Sequence, residues 1–432
     1  MDLIKIKEKL LTSKLFKDSF WAVFGNGMGN AMMLLAGILI ARLLGKDLYG
    51  EYGVVKSTMF YVASFATFGL GFTSTKYIAQ YVTEQKQYVK SIMRDSMTIT
   101  LAFSGTIAIL LIIFAQQLAD YVEAPSLKLA FQALAGVIVF KAMTTTQIGL
   151  LSGHKEFKST ARNSVASGAF LLISCIPLTY FYGLKGSLLA LMSSQAFNAA
   201  INYFTIRQVT KSLPDQENKD FKKELISFSF PVALQESSFT VCHWAAIMFL
   251  TKYSSAGELG LYSAGAQWNS ILIMIPLLLN NVVLSYLSGN VSNKTEHHKT
   301  VKTMLFVNLI CTLMPFIVVY VLADFIATFY GPTFNELPAL LRIVTFSTIF
   351  ECCSSVFKSE LMSQGRTWLL FSLRCIRDVA LVVLVYIVMI NTNGVNGAMS
   401  YAWISVAITA LFFFLMFAAY RITNKKIAQN DL

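Results

Sequence analysis

The chain has 432 residues, of which 55% are hydrophobic and only 13% charged, and its mean hydropathy is +0.59. Soluble domains carry roughly 25% charged residues, so this composition excludes a water-soluble enzyme and defines a multi-span membrane protein. The net charge of +12 is then a matter of where Lys and Arg lie, not a sign of nucleic-acid binding.

Residues 1–19 hold Lys5, Lys7, Lys9, Lys14 and Lys17 among Leu, Ile and Phe. This pattern predicts a basic amphipathic helix on an anionic membrane face. The first apolar run follows at 20–44. It lacks a small-residue cleavage pattern and reads as a retained span. Eleven more runs are long enough to cross a bilayer: 53–75, 92–116, 127–151, 160–182, 186–206, 226–250, 260–287, 303–323, 337–360, 367–391 and 395–420. The connections are short, and the longest, 207–225 and 288–302, are polar and basic.

Charge then orients the spans. Alternate connections carry Lys76, Lys86, Lys90 and Arg94; Lys155, Lys158 and Arg162; Arg207, Lys211, Lys219, Lys222 and Lys223; Lys294, Lys299 and Lys302; and Lys358 and Arg366. Both terminal segments are basic too. The intervening loops "QQLADYVEAPS" and "DFIATFYGPTFNE" have no Lys or Arg. The positive-inside rule puts both termini in the cytoplasm.

Several spans contain groups that hydrocarbon tolerates poorly. In the first, "GNGMGN" brings Asn26 and Asn30 to one face and loosens the helix with three glycines. Lys56 begins the second span, and Lys141 sits near the middle of the fourth. In the seventh, "FPVALQESSFTVCHW" places Glu236 and His243 within roughly 20° of each other around the helix. Thr240 lies on the same stripe, and Pro231 one turn earlier predicts a kink. Glu236 and His243 either lock helices together or line a cavity as ion-coupling groups. Glu351 is near the middle of the tenth span. The eleventh carries Arg374, Arg377 and Asp378; the i, i+4 spacing pairs Arg374 with Asp378 and leaves Arg377 for another group. Asn26, Asn30, Lys56, Lys141, Glu351, Arg374 and Arg377 are the candidate substrate-binding residues.

All six cysteines lie in apolar runs without metal-ligand spacing, so no metal site is expected. There is no phosphate-binding loop with Lys and no HExxH, and no strand precedes "GNGMGN". Enzyme chemistry is therefore not expected, and neither is a nucleotide cofactor.

Two pairs of loops match at an offset of about 211. "LLGKDLYGEYG" after the first span matches "SSAGELGLYSAG" after the seventh. "LLSGHKEFKSTARNS" matches "LMSQGRTWLLFSLRC". The chain thus divides into 1–206, a linker at 207–225, and 226–432. The fold expected is all-α, with twelve transmembrane helices in two parallel six-helix halves around a central cavity. Asp47 and Glu258 each precede a Gly and a Tyr, and are expected at helix starts, where a carboxylate meets the positive end of the helix.

With its basic start, its twelve spans and "LGKDLYGEY" at 44–52, the chain resembles the bacterial polysaccharide flippases. These form the polysaccharide-transport branch of the multidrug/oligosaccharidyl-lipid/polysaccharide exporters; the closest type handles O-antigen or capsule repeat units. The resemblance implies an inner-membrane monomer that flips an undecaprenyl-diphosphate-linked oligosaccharide from the cytoplasmic to the periplasmic leaflet. It implies alternating access coupled to an ion gradient, with H+ or Na+ left open. Other polysaccharide-assembly membrane proteins are the further partners it implies, besides the lipid bilayer. The surplus of cations among the buried charges suits a diphosphate or an acidic sugar. The alternatives are a drug/cation antiporter of the same superfamily, which needs an acidic cavity, and a polysaccharide polymerase or ligase, which needs a long periplasmic loop.

Overall fold

A computed structural model describes residues 14–121, 128–211, 213–214, 219–289, 294–364 and 366–430. Lys5, Lys7, Lys9 and Gly365 lie outside the described residues. Every regular element among them is helical. We number the α-helices α1 Lys14–Ala66, α2 Leu70–Glu84, α3 Val89–Tyr121, α4 Lys128–Gly153, α5 Phe157–Thr210, α6 Lys222–Tyr253, α7 Ala256–Gly289, α8 Lys294–Val321, α9 Ala323–Tyr330, α10 Leu337–Ser363, α11 Thr367–Asn391 and α12 Gly397–Asn430. A helix satisfies all its backbone groups internally, which is what a chain without enough polar surface must do in lipid.

The helices reproduce the twelve expected spans with three differences. The first and second spans form one continuous element, α1, broken only at Gly45 (φ 73, ψ 171). The fifth and sixth likewise form α5, broken at Gly183 (φ 56, ψ −132). Both are conformations that glycine adopts and side chains resist. The second span, expected to run unbroken over 53–75, instead stops at Ala66. The chain turns through Phe68 (φ 51) and Gly69 (φ 69) before α2 begins. Helix α6 is continuous through Pro231, from Lys222 to Tyr253.

The chain folds into two compact units. Unit 1 comprises Met1–Leu43 and Val54–Thr240; unit 2 comprises Leu44–Gly53 and Val241–Leu432. Each is organised around its fourth span. In unit 1, α4 packs against α2, α3 and α5; in unit 2, α10 packs against α7, α8 and α12. These two helices are also the most enclosed, each with 61% of its apolar window buried, against 17–39% for the other candidate spans. The same architectural role at the same place in each half is what a duplicated six-helix plan requires.

Small residues and polar pairs hold unit 1 together, as expected where lipid is as apolar as the helices. A side chain at Gly149 of α4 would overlap the Gly71 carbonyl of α2, and Thr75 Oγ1 donates to the Gly149 carbonyl at 3.1 Å. In the buried core of α5, Asn163 Nδ2 donates to Asn202 Oδ1 (2.8 Å) and Thr205 Oγ1 (2.9 Å) across the Gly183 turn. The first part of α6 belongs here. The Thr73 and Ser229 hydroxyls bond at 2.7 Å, and the Lys76 ammonium sits 3.6 Å over the Phe228 ring. The buried Asp95 carboxylate accepts from the Phe221 N–H at 2.9 Å, just before α6 starts, and pairs with Arg94 at 3.0 Å.

Two glycines of "GNGMGN", Gly25 and Gly29, serve packing. A Cβ on Gly25 would overlap Ala161 of α5, and one on Gly29 would lie 3.0 Å from the Ser164 carbonyl oxygen. In unit 2, Glu258 lies in the first turn of α7, as expected. It also caps another helix: its Oε2 accepts the Ala398 N–H, at the start of α12, at 2.8 Å.

Candidate functional site

The charged groups within the spans fall into two sets, one in each unit. In unit 1 the set is cationic. Lys56 on α1 and Lys141 on α4 are both half-buried. No ion pair or hydrogen bond reaches either ammonium among the described residues. Their helices run side by side: Val55 of α1 and Val137 of α4 line the same small apolar cavity. The α4 lining extends from Ala130 to Val137; Lys56 follows Val55 by one residue, and Lys141 follows Val137 by four.

In unit 2 the charges compensate one another. Asp378 of α11 is 1% exposed, and Arg377 donates to its Oδ1 from Nε at 2.8 Å and from Nη2 at 2.6 Å. This corrects the sequence-based pairing: Arg377, expected to stay free, is the partner of Asp378. Its side chain curls over its own helix, and its guanidinium lies 4.8 Å from the Phe412 ring centre of α12. Glu351 of α10, half-buried, is within electrostatic reach of Arg377 and Lys358. Cys242 of α6 is within reach of Asp378, Cys375 and Arg377. Arg374 is half-buried on the same helix and engaged in interactions of its own.

The expected stripe on α6 straddles the two units. Glu236 and Thr240 belong to unit 1 and His243 to unit 2. Thr240 is buried, His243 half-buried and Glu236 exposed. Glu236 and His243 each make interactions within the structure, and facing hydrocarbon would cost the Glu236 carboxylate at least about 2.5 kcal/mol. Asn30 is exposed on α1, while the Asn26 side chain lies outside the described residues. Asp378 and Lys358 are the members of the charge cluster that the sequence reading left off its site. The i+1 position of Asp378 beside Arg377 was the available signal.

Among the described residues, no group of three His, Cys, Asp or Glu side chains could hold a metal ion. The titratable groups near the basic loops include His154, in the turn between α4 and α5. Its Nε2 is buried without a hydrogen-bond partner, and burial lowers its pKa while Glu156 acts the other way.

Two compact units of apolar helices with charged groups inside define a polytopic membrane protein of the transporter type. Solved structures agree on the fold. An inward-facing multidrug-resistance transporter of the multidrug and toxic compound extrusion family, within the multidrug/oligosaccharidyl-lipid/polysaccharide superfamily, superposes with a TM-score of 0.75. It is 14% identical, with 91% of this chain and 96% of that one covered. The lipid II flippase MurJ, inward closed, superposes with a TM-score of 0.69 at 17% identity, over 90% and 86%. At sequence level, residues 15–291 match the model of the family described as polysaccharide biosynthesis protein, and the chain belongs to that family. A Shigella flexneri protein described as an O-antigen transporter is 22% identical over 89% of this chain and 93% of its own length. The EPS I polysaccharide export inner membrane protein EpsE of Ralstonia solanacearum is 20% identical over 63% and 65%.

Proposed function

We propose that the protein flips a diphosphate-linked lipid oligosaccharide, of the undecaprenyl type, across the bacterial inner membrane, from the cytoplasmic to the periplasmic leaflet. The basic loops are its cytoplasmic end, and both termini lie there. The observation that carries the reading is the pair Lys56 and Lys141. Two half-buried cations in one unit, with no ion pair or hydrogen bond to either ammonium among the described residues, suit a negative group that visits them. A diphosphate brings that charge, and lysine is suited to it as a point charge with three donors. A cation or drug antiporter would be repelled by the same pair. Family membership and the polysaccharide-exporting relatives support the substrate class. Glu236, exposed on a span, is the group we assign to ion coupling, with His243 as its neighbour in sequence along the helix.

The test is export in a host whose own repeat-unit flippase is deleted. The intact protein restores surface polysaccharide, and the lipid-linked intermediate stops accumulating. Lys56→Ala and Lys141→Ala each reach the membrane but lower export at least tenfold, the equivalent of about 1.4 kcal/mol of lost binding. Wild-type export by the Lys56→Ala/Lys141→Ala double variant overturns the cationic site.

A further inference from the structure

The turn that joins the last two spans of each half is a matched pair. Gly183 and Gly186, where α5 reverses, correspond to Gly394 and Gly397, between α11 and α12, at the same offset as the matching loops. The second copy is covered by its own unit. A Cβ on Gly394 would overlap the Tyr253 carbonyl oxygen, Ser254 Oγ donates to the Gly394 carbonyl at 2.8 Å, and Glu258 caps Ala398. The first copy is bare. Among the described residues, no atom lies within 4 Å of a Cβ built on Gly183. Tyr180, Phe181 and Tyr182 stand there in place of Asn391, Thr392 and Asn393, and are 72%, 73% and 68% exposed. The first-half segment that matches the covering turn, Leu44–Gly53, packs in unit 2 instead.

We propose that the turn Tyr180–Lys185 is an interfacial anchor, seated among the phospholipid headgroups of the leaflet opposite the basic loops. Length points there first. The arm of α5 starts at Phe157, beside Lys155 and Lys158 of a basic loop, and runs about 39 Å to Tyr182 at 1.5 Å per residue. Hydrocarbon is about 30 Å thick, and the bilayer with its headgroups about 40–45 Å. An arm that begins at one surface therefore delivers its last turn to the headgroups of the other. Continuity agrees. Exposed Ile173, Ile176 and Tyr180 recur at three- and four-residue spacing, so one lipid-facing stripe runs into the turn. Tyr182 points to the other side of the helix and is as open as Tyr180, so α5 has left its protein neighbours by this level. The chemistry fits as well. Tyrosine pairs an apolar ring with a hydroxyl that stays wet, which is why it gathers at membrane interfaces. Phe181 stands edge to face with Tyr180 at 5.3 Å, and exposed Lys185 offers an ammonium to a lipid phosphate. The duplicated plan thus holds one turn with protein, through Ser254 and Glu258, and the other with lipid.

Phe181→Trp, a ring-for-ring change at an open position, reads the anchor in vesicles of phosphatidylethanolamine and phosphatidylglycerol. Emission added over that of the five native tryptophans should be lost to phospholipids brominated near the glycerol end of the acyl chain, less to those brominated deeper, and largely spared by aqueous iodide. Quenching by iodide without quenching by bromolipid puts the turn in water and overturns the proposal. Stronger quenching by the deep bromines puts it in hydrocarbon and overturns it too. Intact cells give a second readout. With p-benzoylphenylalanine at position 181, irradiation should add the mass of a phospholipid to that peptide. An adduct of protein or sugar in its place identifies a different occupant and overturns the proposal. Neither readout needs a transported substrate, so their failure leaves the transport reading standing.

Discussion

Arg377 and Asp378 allow a quantitative test of whether the unit 2 charges are a compensated pair. The carboxylate is 1% exposed and accepts two bonds from the guanidinium, at 2.6 and 2.8 Å. Asp378→Leu leaves the arginine with its charge and without that acceptor. Breaking a buried pair in this way destabilises by about 3–5 kcal/mol. Glu351, in reach of Arg377, takes up part of the freed charge, so the lower end of that range is expected. Arg377→Met strands a buried carboxylate at a similar cost. Replacing both groups, as Arg377→Met/Asp378→Leu, removes two desolvated charges at once and should land within about 1 kcal/mol of wild type or above it, since apolar replacements of buried pairs are often neutral or stabilising. The cycle therefore predicts a coupling energy of at least about 3 kcal/mol. Unfolding of the purified protein under steric trapping, with all four variants in one detergent, gives the free energies. Single variants that each lose less than about 1 kcal/mol and add without coupling would refute the reasoning. Export separates stability from recognition: a stable double variant that still exports shows that Arg377 serves structure alone.

Three further outcomes follow from the geometry. Gly149→Ala puts a Cβ into the Gly71 carbonyl and 3.0 Å from Gly71 Cα; both are backbone, so α2 and α4 must separate, for a loss of about 1–3 kcal/mol seen as a lower melting temperature. Ser229→Ala removes the 2.7 Å bond to Thr73 and should cost only about 0.6 kcal/mol, the average for a hydrogen bond between helices in lipid; a change above 2 kcal/mol would show that the α2–α6 contact depends on that bond alone. His154 makes stability depend on pH. Burial lowers its native pKa, so below about pH 6.5 the unfolded chain takes up a proton that the native turn resists, and stability falls as pH drops through that window. His154→Gln should flatten the melting-temperature profile between pH 7.5 and 5.5, and an unchanged slope would remove His154 as its source.

The spans and their charges were legible in sequence because lipid imposes a length and a price on polarity that few residues escape. Lys56, Lys141, Glu351 and Asp378 each stand out against apolar neighbours before any coordinates. Partnership was less legible, because helical spacing ranks neighbours by Cβ position. By that measure Arg374 at i, i+4 outranks Arg377 at i−1. A long arginine side chain escapes the rule: it folds back along its own helix and reaches the adjacent carboxylate. The breaks show the same limit. Gly45, Gly183 and Phe68–Gly69 all interrupt helices, yet glycines of the same local appearance, Gly25 and Gly29, stay helical and make room for α5. Whether a glycine bends a helix or packs it is decided by the neighbour it meets. The segment Leu44–Gly53 is the strongest instance. Its sequence matches the start of α7, and the match marked a duplication. The structure adds that the two copies lie on each other, with Gly50 against Gly260, because each copy supplies a glycine where the other's backbone must pass. Two equivalent helix starts that each lack a side chain at the crossing can approach more closely than either could approach an ordinary helix, and duplication supplies that complementarity without a second invention.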